Sequence, residues 1–194
     1  MNLQEQVYSV LIVSTSERNI EALSGVFSAP SFSPVQVVSS VSSAKRGLME
    51  RFFDFIILDD EPSEEGIVRF AVDIVTETDA VVLFLAETEQ FNISYERLAR
   101  HGVFLLQKPL SESVLETASG WLLSARERVR KSEKKTQSLE EKMKEIRLVN
   151  RAKWILISEL KLSEQDAHRF IEKQAMNRCV SKRSVAEEII KTYG

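Results

Sequence analysis

The chain has a single cysteine, Cys179, among 194 residues, so no internal disulfide framework exists and no cysteine-based metal site can form from it alone. That scarcity fits a reduced, cytoplasmic setting. Histidine is equally sparse: His101 and His168 stand far apart, and neither lies beside a recognisable nucleophile or in a metal-ligand cluster. Together with the lack of a glycine-rich phosphate loop, this removes the usual enzyme signatures, and no enzymatic activity is expected. No apolar run approaches the ~20 residues needed to span a bilayer. The N-terminus lacks a basic segment followed by a long apolar one. A soluble protein without a membrane partner is the expectation.

What is present is divided by charge. The net charge of −3 conceals 8 Lys and Arg against 18 Asp and Glu in residues 1–119, and 18 against 11 in residues 120–194. The halves therefore carry −10 and +7. An acidic half joined to a basic one is the pattern expected when one end meets a polyanion; the alternative is a solvated helical surface. With 43% hydrophobic residues there is enough apolar material for one medium domain plus a small one.

In the acidic half, β-prone apolar runs recur at 7–13, 36–38, 54–58, 80–86 and 103–106, separated by helical patterns at Ile20 to Phe27, 41–52, 64–77, 89–100 and from 111 onward. Such alternation predicts a doubly wound parallel sheet covered on both faces, with ligands at the carboxyl ends of the strands. Two of those ends carry chemistry: DFIILDD finishes on Asp59 and Asp60, and FLLQKP on Lys108 and Pro109. A carboxylate near an ammonium can handle a phosphoryl group, the lysine neutralising the charge of an acyl phosphate. The structural alternative for Asp59 is a strand-end aspartate that caps the next turn.

These positions resemble the receiver domain of two-component response regulators over residues 5–125. The resemblance implies an α/β, (βα)5 receiver-like fold with Asp54 opening the third strand. It also implies that Asp59 is the phospho-acceptor and that Lys108 precedes a cis proline. Three departures stand out. The first strand is followed by Ser14, Thr15 and Ser16 where receivers place two acidic residues that hold Mg²⁺. Ala86 replaces the hydroxyl residue at the end of the fourth strand, with Thr88 two positions on, and the loop from Asp59 to proline is one residue short. Mg²⁺ demands hard carboxylate oxygens, so the expectation is a degenerate receiver with no bound cofactor. Asp60 or Glu61 is the one conceivable replacement for the lost ligands.

Between Ser119 and Lys161 there is no proline, and after Gly120 no glycine, which predicts one long helix. Leu122, Ala125, Val129, Ser132, Thr136, Leu139, Met143 and Ile146 follow a heptad spacing, weak at Ser132 and Thr136. The spacing predicts a coiled-coil homodimer; the alternative is a lone helix packing its stripe on its own domain.

The last forty-odd residues read as three short amphipathic helices. Ser163 with Asp166 three residues on forms a capping pattern for the middle one, and Ser181 caps the last. Ala167, Phe170, Ile171 and Ala175 fall on one face, so Phe170 is assigned to the core; His168 is placed to stack on or bond to a base, the alternative being a partly buried helix position. Lys182 and Arg183 open the last helix against its dipole, which suggests a purpose other than helix stability.

This stretch resembles the ANTAR domain, the three-helix RNA-binding module of antitermination regulators. The match lies in Ala152-Lys153, Ser163-Glu164, Ala167, Ala175-Met176 and Ala186, with Trp154 where many members have glycine. The resemblance implies a module that recognises paired small RNA hairpins in a nascent transcript and keeps a terminator from forming; with the heptad spacing, the expectation is a dimeric antiterminator. The residues assigned to RNA are Arg151, Lys153, His168, Arg169, Lys173, Arg178, Lys182 and Arg183. The organisation expected is a receiver-like domain over 1–120, a coiled-coil helix over 121–145 and the ANTAR module over 146–194. Control would come from a sensor kinase, from a sequestering protein or from a small ligand. Two other readings stay open: a helix-turn-helix reading duplex DNA, although NRCV makes an atypical turn, and a protein-binding scaffold without nucleic-acid affinity.

Overall fold

The computed structural model describes residues 6–60 and 66–194. Five strands, β1 (Tyr8–Val13), β2 (Phe32–Val38), β3 (Phe55–Asp59), β4 (Val81–Ala86) and β5 (Phe104–Gln107), form one parallel sheet in the order β2-β1-β3-β4-β5. Four helices connect or cover them: α1 (Glu17–Val26), α2 (Val41–Glu50), α3 (Ile67–Glu77) and α4 (Phe91–Leu98), the last followed by a 3-10 turn over Ala99–His101. The fifth helix, α5, runs from Glu112 to Leu160, and α6 (Glu164–Asn177) and α7 (Lys182–Tyr193) follow it.

The alternation of side chains along each strand makes two cores. Leu11, Val13, Ile56, Leu58, Val82 and Phe84 face one way, against Ala44 of α2, Phe70 and Ile74 of α3, and Leu98 of α4. Val10, Ile12, Phe55, Ile57, Leu83 and Leu85 face the other way, against Leu23 of α1 and Leu115 and Leu122 of α5. Strands buried on both faces must be apolar throughout, which is why β3 and β4 read as unbroken hydrophobic runs. Each fully buried Phe or Leu contributes about 1.5–3 kcal/mol relative to exposure.

Two local readings change. The second strand begins at Phe32, four residues before the apolar run suggested, because β2 lies at the sheet edge and tolerates Pro34, whose missing N–H has no ladder partner there. Asp54 lies just before β3 rather than opening it. Its carboxylate accepts hydrogen bonds from the Ser9 amide (2.9 Å) and hydroxyl (3.0 Å) and from Arg126 Nε of α5 (2.8 Å). Nearby, the Tyr8 hydroxyl donates to Glu127 at 2.7 Å; burial, then this carboxylate, pushes the phenol up to about 12. These contacts pin α5 to the amino-terminal edge of β1 and β3.

The chain divides into two compact units, residues 1–130 and 131–194, with the boundary inside α5. In the second unit, Ala152 and Leu156 from the end of α5 pack with Ala167, Ile171 and Ala175 of α6 and Val185, Ala186 and Ile189 of α7. The first of the three expected short helices is thus the last part of a 49-residue helix. The other two start where their caps were read: Ser163 accepts from the Asp166 amide and Ser181 from that of Ser184. The Ser163 hydroxyl also donates to the Asp166 carboxylate at 2.6 Å, so the capping pair closes through side chains.

Helix α6 ends in a Schellman turn, with the Cys179 amide on the Met176 carbonyl (3.2 Å) and the Val180 amide on that of Ala175 (3.0 Å). Cys179 consequently sits in the left-handed region, at φ 52°. A side chain there costs about 1–2 kcal/mol, partly offset in glycine by chain entropy. Cys179→Gly should therefore raise stability by roughly 0.5–1 kcal/mol, seen as a higher urea midpoint at unchanged slope.

Candidate functional site

At the carboxyl ends of the strands, Asp59 is 2% exposed and its two oxygens are separately occupied. Oδ2 accepts from the Ser14 hydroxyl at 2.7 Å and from the Asn19 side-chain amide at 2.8 Å. Among the described residues Oδ1 has only the Lys108 ammonium, at 2.5 Å, an ion contact rather than an aligned hydrogen bond. Lys108 also reaches the Glu87 carboxylate at 2.8 Å and the Asp60 carbonyl at 3.0 Å. Burial alone would lower the lysine pKa, but Asp59 and Glu87 together raise it. The Asp60 side chain is pushed up, chiefly by burial and against the pull of Lys108.

Local structure explains these positions. Ser14 ends the run begun by β1, Ser16 caps α1, and the first turn of that helix carries Asn19 over Asp59. The Lys108–Pro109 bond is cis, and the Thr88 hydroxyl donates to the Lys108 carbonyl at 2.8 Å. Thr88, two positions past Ala86, thus holds the lysine's backbone. Asp59 and Lys108 come together at strand ends, as the sequence predicts; Ser14 is a donor to Asp59 and not only a lost metal ligand, and Asn19 and Glu87 complete the set without a mark in the sequence. Their signal is weak because a polar residue in a first helical turn, such as Asn19, ordinarily serves the helix, and a carboxylate just past a strand, such as Glu87, ordinarily faces solvent.

The donor set does not fit Mg²⁺. Lys108 lies against the Asp59 and Glu87 carboxylates, and its charge also acts on the Asp60 carboxyl beside them. The Ser14 hydroxyl and the Asn19 amide point hydrogens at Asp59, where a cation would need lone pairs. Among the described residues no group of three or more His, Cys, Asp or Glu could hold a metal; Glu61 lies outside them. No step through a metal is derived.

The second set of assigned residues lies on the basic unit, and their roles separate. Arg178 makes a two-pronged pair with Glu188 at 2.6 and 2.7 Å, and Lys182 pairs with Glu172 at 2.5 Å, each joining α6 to α7. Arg183 pairs with Glu187 at 2.8 Å on its own helix, and Lys153 with Glu164 at 3.1 Å, joining α5 to α6. The basic start of α7 therefore has structural partners, and Lys182 holds the Glu172 carboxyl below its usual range. Exposed pairs of this kind contribute little individually. Arg151, Arg169 and Lys173 are exposed and have no ion pair among the described residues.

Phe170 departs from expectation, whereas His168 does not take its alternative, partly buried position. His168 is exposed, with Nε2 3.3 Å from Glu172. Phe170 is 38% exposed: the buried line on α6 runs Ala167, Ile171, Ala175 in steps of four, which leaves position 170 on the rim. On α5, Leu122 is buried in the sheet's own core and Ala125 packs against it, whereas Leu139, Met143 and Ile146 are 53–59% exposed. The expected seam is therefore split: its first positions serve the sheet, and its last ones are uncovered.

Residues 137–190 match the ANTAR domain family. The chain is 26% identical over 141 residues to the transcriptional regulatory protein PdtaR of Mycobacterium tuberculosis, covering 73% of this chain and 69% of that one. Among solved structures, it is similar to the signal receiver domain of an HD domain-containing protein from Pseudomonas fluorescens, with TM-score 0.57, 16% identity, and coverage of 68% of this chain and 96% of that one. NtrX from Brucella abortus in complex with ADP gives TM-score 0.58 at 14% identity, covering 66% of this chain but only 30% of NtrX. At these identities the structures establish the fold. No described helix is long and apolar enough to cross a membrane.

Proposed function

We propose that this chain, which joins a receiver-type domain to an ANTAR domain, is a regulator of transcription antitermination that binds hairpin RNA as a homodimer without requiring phosphorylation of Asp59. The observation that carries RNA binding is the set of exposed cations Arg151, Arg169 and Lys173, which have no ion pair among the described residues, on a unit matched to the ANTAR family. Hairpin loops present unstacked bases and closely spaced phosphates, the targets that such donors suit.

Dimerisation is supported by the uncovered Leu139, Met143 and Ile146, which continue one heptad seam onto Asn150. An asparagine at such a position favours a single register and oligomer state. Independence from phosphorylation is supported by the occupied Asp59. Its oxygens already satisfy Ser14, Asn19 and Lys108, and Glu87 gives the lysine a second anion where a phosphoryl group would otherwise supply one. Control would then fall to a sequestering protein or a small ligand, with a sensor kinase as the partner if phosphorylation does operate.

The test is titration of labelled hairpin RNA with the full chain. Affinity should fall with salt, by a slope of about −0.7 per phosphate contacted in single-stranded regions, and duplex DNA should compete at least ~100-fold less well. A phosphoryl donor with Mg²⁺ should change affinity by less than about twofold. A rise that disappears in Asp59→Ala would refute phosphorylation independence. Equal competition by DNA would favour a helix-turn-helix, and no salt-dependent binding would favour a scaffold.

A further inference from the structure

We propose that the depression where α6 turns into α7 receives one unstacked base of the RNA loop, with the neighbouring phosphates taken by Arg169 and Lys173. This rests on the RNA-binding reading above and names the part of the surface that reads the loop. The depression measures about 710 Å³ and is lined by Arg169, Glu172, Lys173, Met176, Val180 and Lys182. That volume lies within the range of roughly 300–1,000 Å³ typical of small-molecule sites.

Its chemistry is that of a nucleotide turned inside out. Met176, 73% exposed, and Val180 supply an uncovered apolar floor, and a thioether makes favourable contacts with aromatic rings. Arg169 and Lys173 lie one helical turn apart on the rim, each without an ion pair among the described residues. Lys182 is held in the wall by Glu172 at 2.5 Å, so its ammonium is positioned before any ligand arrives. An apolar floor flanked by two unpaired cations, with the Glu172–Lys182 pair in its wall, matches a flat base between two phosphodiesters. It suits a protein partner poorly, since an acidic peptide would leave the floor uncovered and an apolar one would leave the rim charges unpaired. The Schellman turn through Cys179 places Val180 and Lys182 opposite α6, so the shape belongs to the backbone.

The experiment measures binding of the full chain to a hairpin whose loop positions are made abasic one at a time, in wild type and in Met176→Ser. Because Met176 is exposed, the variant should keep its circular dichroism and urea midpoint. In wild type, one abasic position should weaken binding about tenfold, and Met176→Ser should weaken the intact hairpin about three- to tenfold. At that position alone the two losses should not add. Arg169→Ala and Lys173→Ala should each reduce the salt slope by about one contact. RNA binding with additive losses at every loop position would overturn the base pocket while leaving RNA recognition intact. A free mononucleotide that competes as well as the hairpin would overturn it in favour of a small-ligand site. Absence of any RNA binding would overturn both readings.

Discussion

A chain carrying Met143→Glu and Ile146→Glu should sediment as a monomer at micromolar concentration and bind a two-hairpin RNA about 100-fold more weakly than wild type. Both side chains are exposed, so neither substitution opens a cavity, and glutamate is a good helix former. The cost falls only on a paired state, where opposed glutamates would meet across the seam. When two modules grip two hairpins, the second contact forms at an effective concentration set by the connector, and losing it forfeits avidity of about 10²–10⁴. Affinity for an RNA with a single hairpin should change less than about twofold, because the cations of the binding surface are untouched. A sedimentation mass that stays at two chains would refute the seam. Monomerisation without the 100-fold loss would leave the seam and refute its role in RNA avidity.

Lys108→Ala should destabilise the chain by about 3–5 kcal/mol, the usual cost of stranding one member of a buried ion pair. Asp59 would keep the Ser14 and Asn19 donors on Oδ2, but Oδ1 would lose the ammonium that is its one partner among the described residues. Asp59→Ala should cost less, about 1–3 kcal/mol, because Glu87 still faces the lysine. The double variant Lys108→Met with Asp59→Ala should recover much of the loss, since neither charge then remains unpaired. Urea titrations of the three variants check the order, and equal losses for both single variants would refute the asymmetry. The pH dependence has a defined sign. Asp59 and Glu87 raise the folded lysine's pKa above its unfolded value. The stabilisation is thus complete below the unfolded lysine's range and is lost as pH rises through the higher folded value. The double variant should lack that alkaline loss.

The alternation of strands and helices was legible because strands buried on both faces must be continuously apolar, so β3 and β4 declared themselves in FIIL and VVLFL. The edge strand was legible only in part, since Pro34 reads as a stop unless the strand is known to lie at the rim. The caps Ser163 and Ser181 were legible because capping acts within three residues. Asp59 and Lys108 could be placed at strand ends from sequence. Asn19 and Glu87, which complete the arrangement, could not, for one acts across 40 residues and the other through a carboxylate just past its strand.

The sequence by itself determined the division into an acidic α/β domain, a long helix and a basic helical end, because composition and short-range periodicity act locally and survive without knowledge of neighbours. Tertiary structure decided which of those local features find partners. It took Leu122 of one heptad series into the sheet's core and left Met143 and Ile146 bare. It turned Phe170 outward and neutralised Arg178, Lys182 and Arg183, leaving Arg151, Arg169 and Lys173 unpaired among the described residues. Pairing depends on which side chains converge from distant segments, and a one-dimensional pattern carries no distance between them.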